Sequence, residues 1–136
     1  MIALEVQSGR ARKLSQRICR ILLLTGAMVT LWLALSPHPP RIFAWDKFEH
    51  GAAFMALTFA FWAAYPTLRL RWVALILSGF GTLIEILQGI PAIHRDSSFF
   101  DWCADSVAIF LATGLILLLI TVSRIAFNCL VAMKPE

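Results

Sequence analysis

The stretch VAIFLATGLILLLITV, residues 107–122, carries no charge, and Thr113 and Thr121 are its only side-chain hydrogen-bonding groups. A helix crossing a bilayer needs roughly 17–25 mostly apolar residues. This run reaches that length when it is extended N-terminally to about Asp101. Working back along the chain, Val73–Ile90 is a second such run, broken by Glu85 and Gln88, and Gly51–Tyr65 is a third, ended by Pro66. Ile18–Leu35 is a fourth, apolar apart from Arg20, whose long side chain can snorkel to the surface. The expectation is an all-α membrane protein with four transmembrane helices spanning 18–123. A basic cytoplasmic segment (1–17) precedes them and a short cytoplasmic tail (124–136) follows.

Composition agrees. Of 136 residues, 60% are hydrophobic and 15% charged, with a mean hydropathy of +0.78. A soluble domain is about 45–50% apolar and about 25% charged, and a soluble core of this length buries only about 70% of its chain. Lipid accommodates the excess. No glycine-rich loop suited to phosphates is present, so a nucleotide-driven machine is excluded within this chain. The basic lead followed by an apolar run also resembles a secretory signal. Ala34–Ser36 is a poor cleavage site, however, and the run is longer than a usual signal core, so it is read as a retained span.

With the N-terminus inside, the cytoplasmic segments carry Arg10, Arg12, Lys13, Arg17, Arg20, Arg69, Arg71, Arg124 and Lys134. The outer side carries Arg41, Lys47 and Arg95. This positive-inside bias places both termini in the cytoplasm and the chain in the plasma (inner) membrane as a multi-pass protein. Trp32, Trp45, Phe99, Phe100 and Trp102 fall near the outer boundary, and Trp62, Tyr65 and Trp72 near the inner one, as aromatic belts do. The net charge of +4 therefore reports orientation, and nucleic acid is not an expected partner. Cys19, Cys103 and Cys129 show neither a CxxC nor a zinc spacing and read as packing residues; no cofactor is expected.

The remaining polar residues are unevenly placed. Asp46, Glu49, Glu85, Asp96, Asp101, Asp105 and the three histidines, His38, His50 and His94, all fall on the outer side or in the outer half of a span. Asp46, Glu49 and His50 stand at i, i+3 and i+4, so one helical face presents all three. Ser78, Gly81, Glu85 and Gln88 step by three and four along the third span. Asp101 and Asp105 are again i, i+4, and Ala104, Ala108 and Ala112 form a small-residue stripe that permits close helix approach. A carboxyl group as deep as Glu85 has to be partnered, protonated or hydrated.

Asp46-Lys47-Phe48-Glu49-His50, then Glu85-Ile86-Leu87-Gln88, then Arg95 through Asp101 together resemble the VanZ-like family of small membrane proteins, over residues of about 46 to 114. Order and span placement follow the family's D-K-x-x-H, E-x-x-Q and R-…-D pattern. The fourth span departs from it: Asp105 stands where the family usually has Asn, and Ala108 and Ala112 stand in glycine-like places. The resemblance implies a link to low-level resistance to the glycopeptide teicoplanin. It implies no biochemical mechanism.

The expected ligand-binding set is Asp46, Lys47, His50, Glu85, Gln88, Arg95, Asp101 and Asp105, gathered at one outward-facing pocket. Lys47 and Arg95 either neutralise neighbouring carboxylates or hold a lipid phosphate, for which arginine offers a planar fork. Glu85 either fixes helix register through a buried bond to His50 or Arg95, or serves the site directly. Ser97 and Ser98 read as turn residues or helix caps. No metal-ligand spacing is present, and no metal is expected. Three functions fit. In the first, the chain binds membrane lipids, a lipid-linked envelope precursor or a lipoglycopeptide. In the second, it is a membrane hydrolase or transferase with His50, Glu85 and Asp101 as the catalytic candidates, His50 acting as acid or base. In the third, the polar network locks the helices and function lies in partner binding, with a homo-oligomer left open.

Overall fold

The computed structural model describes the backbone of residues 2–37, 46–93, 95 and 97–133, and side chains from Arg10 onward within those ranges except for Asp46 and Lys47. The described residues form four helices and no strand. These are α1 (Ile2–Leu35), α2 (Asp46–Ala64), α3 (Leu70–Gln88) and α4 (Phe99–Ala132), with a short 3-10 turn, Pro91–Ile93, before α4. Within α1, α3 and α4, the segments Arg10–Leu35, Leu70–Gln88 and Phe99–Ala132 are long and apolar enough to cross a membrane.

Local chemistry sets the helix ends. α1 stops at Leu35, just before Ser36-Pro37, because a proline disfavours helical geometry in the residue ahead of it. α2 and α3 are joined by a tight turn closed by the Leu68 N–H donating to the Tyr65 carbonyl at 3.0 Å, with Pro66 in the position that its fixed φ favours. α3 ends at Gly89, whose N–H returns to the Glu85 carbonyl at 3.1 Å, and Pro91 follows shortly.

α2 lies between its neighbours and packs against α1 on one side and α4 on the other, while α3 closes against α4. Each helix buries one narrow stripe. On α3 it is Val73, Leu77, Gly81, Ile84 and Gln88, and on α4 it is Asp101, Asp105, Ala108, Ile109, Ala112 and Ile116. The outward faces are apolar: Leu24, Met28, Trp32, Leu75, Ile86, Phe110, Leu111 and Leu118 are all exposed. His50, Thr58, Gln88, Asp101 and Asp105 are meanwhile buried. Polar groups inside and apolar groups outside invert the soluble pattern and match a bundle whose solvent is lipid.

Small residues set the helix spacing. A Cβ on Gly51 would stand 3.7 Å from the Ala108 Cβ, so α2 and α4 meet backbone to backbone at the expected alanine stripe. A Cβ on Gly81 would stand 3.3 Å from Asp105 Oδ2 and 3.4 Å from Phe54 Cζ. That position is glycine because α2, α3 and α4 converge on it.

α1 and α4 are longer than the spans read from hydropathy. Each has 34 residues, about 51 Å at 1.5 Å per residue, against about 30 Å of hydrocarbon. The basic lead from Ile2 belongs to α1, and α4 continues past Arg124 to Ala132. Beyond Ile116, α4 buries no residue.

Candidate functional site

The site residues gather at the end of the bundle where α1 and α3 finish and α2 and α4 begin. His50 comes from the second turn of α2, Gln88 from the last turn of α3, and Asp101 and Asp105 from the first two turns of α4. His50 Nδ1 stands 3.7 Å from Asp105 Oδ1, with the two side chains 9% and 1% exposed. That separation exceeds a hydrogen bond. Neither His50 Nδ1 nor either Asp105 carboxyl oxygen finds a hydrogen-bond partner among the described residues. The two groups face each other in a buried interior, where the low dielectric raises the cost of leaving either without its neighbour.

The E-x-x-Q pair does something different. Gln88 Nε2 donates to the Ala34 carbonyl at 2.9 Å. Ala34 is one of the last residues of α1, whose final carbonyls have no partner within the helix, so a side chain of α3 closes the end of α1. Glu85 Oε2 accepts the Ser98 N–H at 2.7 Å. Ser98 is the N-cap of α4 and has no capping bond from its own side chain, so α3 also supplies the acceptor at the start of α4. A carboxylate there also complements the positive end of the helix dipole. Two residues three positions apart, Glu85 and Gln88, therefore tie α3 to the ends of two different helices.

This geometry gives a direct expectation. Gln88→Leu leaves a buried carbonyl on Ala34 without its donor and should cost about 1–3 kcal/mol of bundle stability. Equilibrium unfolding in mixed micelles reads it, and a wild-type midpoint would rule out the clamp.

Glu85 also borders a groove between α3 and α4. Its volume is about 640 Å³, within the usual ligand-site range of roughly 300–1,000 Å³. The walls are Thr82, Ile86, Gly89 and Ile90 of α3 and its end, Pro91 of the 3-10 turn, Ser97, and Phe99 and Trp102 of α4. Phe99 and Trp102 pack ring to ring at 5.5 Å. Ile86, Ile90 and Phe99 are exposed, so the groove opens on the apolar flank of the bundle with one carboxylate in its wall.

The eight expected site residues thus separate. His50, Gln88, Asp101 and Asp105 are buried between helices, and among the six whose side chains are described Glu85 alone borders the groove. Arg95 is half-buried in the α3–α4 connection and is not part of the groove wall. Asp46 and Lys47 begin α2, but their side chains, like His38, His94 and Asp96, lie outside the described residues. Along the third span, Gly81 and Gln88 face the core while Glu85 turns toward α4. Most of the groove wall escaped the sequence reading, because Thr82, Ile86 and Ile90 look like any lipid-facing residues. The usable signal was Gly89 with Pro91, which end α3 and open the space. Among the described residues no group of three or more His, Cys, Asp or Glu side chains is placed to hold a metal ion. The three cysteines are unpaired.

Comparison of the chain with protein-family models, curated proteins and solved structures finds no match.

Proposed function

We propose that this is a VanZ-like multi-pass protein of the plasma (inner) membrane that holds an amphiphile at its outer face. In this reading the head of the ligand enters the α3–α4 groove and its tail lies in the surrounding lipid. The ligand is a lipid-linked envelope precursor or a lipoglycopeptide, and the association with low-level teicoplanin resistance follows from the VanZ-like resemblance. The carrying observation is the groove of about 640 Å³, apolar in most of its wall, open on the flank of the bundle, with the Glu85 carboxylate beside it. A carboxylate, Thr82 and Ser97 favour a head rich in hydrogen-bond donors, such as a sugar or an amide.

Four crossings complete the reading. α2 has 19 residues, about 28 Å, close to the hydrocarbon thickness of about 30 Å, and packs between α1 and α4, which supports reading it as a crossing. An even number of crossings returns both termini to one side, and the excess of basic residues assigns that side to the cytoplasm.

A membrane hydrolase or transferase is the second reading, favoured by His50 standing 3.7 Å from the buried Asp105. A base oriented by a carboxylate is a recurrent catalytic arrangement. It ranks second because neither residue borders the groove.

Native mass spectrometry of gently extracted protein tests the first reading. Wild type should carry a defined lipid. Thr82→Trp fills the groove from an exposed position and should lower that occupancy at least about ten-fold, the equivalent of 1.4 kcal/mol. Glu85→Gln should weaken it less, because the amide oxygen still accepts the Ser98 N–H. Equal lipid occupancy in all three proteins would refute the reading.

A further inference from the structure

At the opposite end of the bundle, Arg20 of α1 lies over the Tyr65 ring at 4.8 Å. Ala64 ends α2 and Leu70 starts α3, so Arg20 marks the level at which the packed bundle finishes. Lys13, Gln16, Arg17 and Arg20 share one face of α1 by their spacing and enclose a shallow cleft of about 320 Å³. Leu14, Ile18 and Ile21, on other faces of the same turns, are exposed at 60%, 50% and 63%. Residues 10–20 contain no acidic side chain, so nothing within the segment neutralises the three cations.

The depth of this face is specific. Below Arg20, Arg17 lies about 4.5 Å and Lys13 about 10.5 Å further along the helix axis. The headgroup layer occupies about 5–8 Å on each side of the hydrocarbon. Arg17 therefore sits within that layer, and Lys13 reaches back into it on its flexible stem. Arg12 and Arg10 lie about 12 and 15 Å below Arg20, beyond the layer.

We propose that the Lys13–Arg17–Arg20 face is a second binding site, one for a phosphate-bearing anion, and that its occupant is the headgroup of an anionic phospholipid in the leaflet at the Tyr65 end. A lipid phosphate and free inorganic phosphate share the chemistry that this face recognises. The depth match and the adjoining apolar side chains favour the lipid, whose acyl chains pack beside Ile18 and Ile21. The site is independent of the α3–α4 groove.

The test uses full-length protein in nanodiscs of phosphatidylglycerol and phosphatidylcholine in equal parts, with retained lipid read by native mass spectrometry. Wild type should retain phosphatidylglycerol in preference, and millimolar inorganic phosphate should leave it in place. Lys13→Gln/Arg17→Gln should weaken retention about 25-fold, five-fold for each charge near the surface. Arg10→Gln/Arg12→Gln removes the same charge from side chains that lie past the headgroup layer and do not line the cleft, so its effect is partly screened and should stay below about five-fold. Equal losses from the two pairs, or no preference for phosphatidylglycerol, would overturn the site. Displacement by inorganic phosphate would overturn the lipid as its occupant. All four replaced side chains project from the part of α1 outside the packed bundle, and unchanged melting in neutral detergent confirms that folding is intact.

Discussion

Asp105→Ala is expected to cost about 3 kcal/mol of bundle stability, because it leaves His50 buried with no opposite group and opens space beside Gly81. The two side chains are 1% and 9% exposed and stand 3.7 Å apart, so water does not take over the lost interaction. Gly81 has no side chain with which to fill the gap. Asp105→Asn keeps the shape and a hydrogen-bonding oxygen and should cost less than about half as much. Reversible unfolding in bicelles, with His50→Ala and the double variant completing a cycle, measures the pair directly. A cost below about 1 kcal/mol for Asp105→Ala, or equal costs for Ala and Asn, would show that the pair contributes no more than ordinary packing.

Phe54→Ala should cost about 3 kcal/mol, the lower end of the range for removing a buried ring. Phe54 is fully buried, packs against Phe80 with ring centroids 5.9 Å apart, and its Cζ faces Gly81 where three helices converge. In lipid the helices gain little from hiding apolar surface, so the loss is one of close packing and of the cavity left behind. Phe54→Leu retains most of that volume and should cost less than about 1.5 kcal/mol. If alanine and leucine behave alike, α2 is held by its small-residue approach to α4 and the Phe54 ring is incidental.

Helix number and type were legible because apolar runs such as 107–122 admit no other reading in a chain so poor in charge. The polar end of the bundle was legible too, from the spacing of Asp101, Asp105, Glu85 and Gln88. Helix length was not. The stretch before Ile18 is polar and the stretch after Val122 is mixed, so hydropathy marks where the apolar runs end, whereas both helices continue past them. Nor could spacing reveal that Gln88 reaches Ala34, 54 residues away, or that Glu85 accepts a bond from Ser98. Each partner is a backbone group, and every residue has those, so no sequence pattern points to the one chosen. The division between a buried His50–Asp105 pair and an open groove was hidden for a related reason. Spacing assigns residues to a helix face but not the rotation of that face against its neighbours.

The crowding of polar groups at one end of the bundle bears on how the chain is made. A charge at the middle of an inserting helix costs about 2.5–3.5 kcal/mol on the insertion scale, and the cost falls toward the ends. Asp101 and Asp105 sit in the first two turns of α4, and Glu85 and Gln88 in the last turns of α3. Each helix can therefore enter the bilayer alone with its polar residues still wetted at the interface. Dehydration is deferred to the moment when α2, α3 and α4 close together around Gly81. Biogenesis then has two separable checkpoints, partition of single helices and sealing of their polar ends, and the acidic residues weigh on the second.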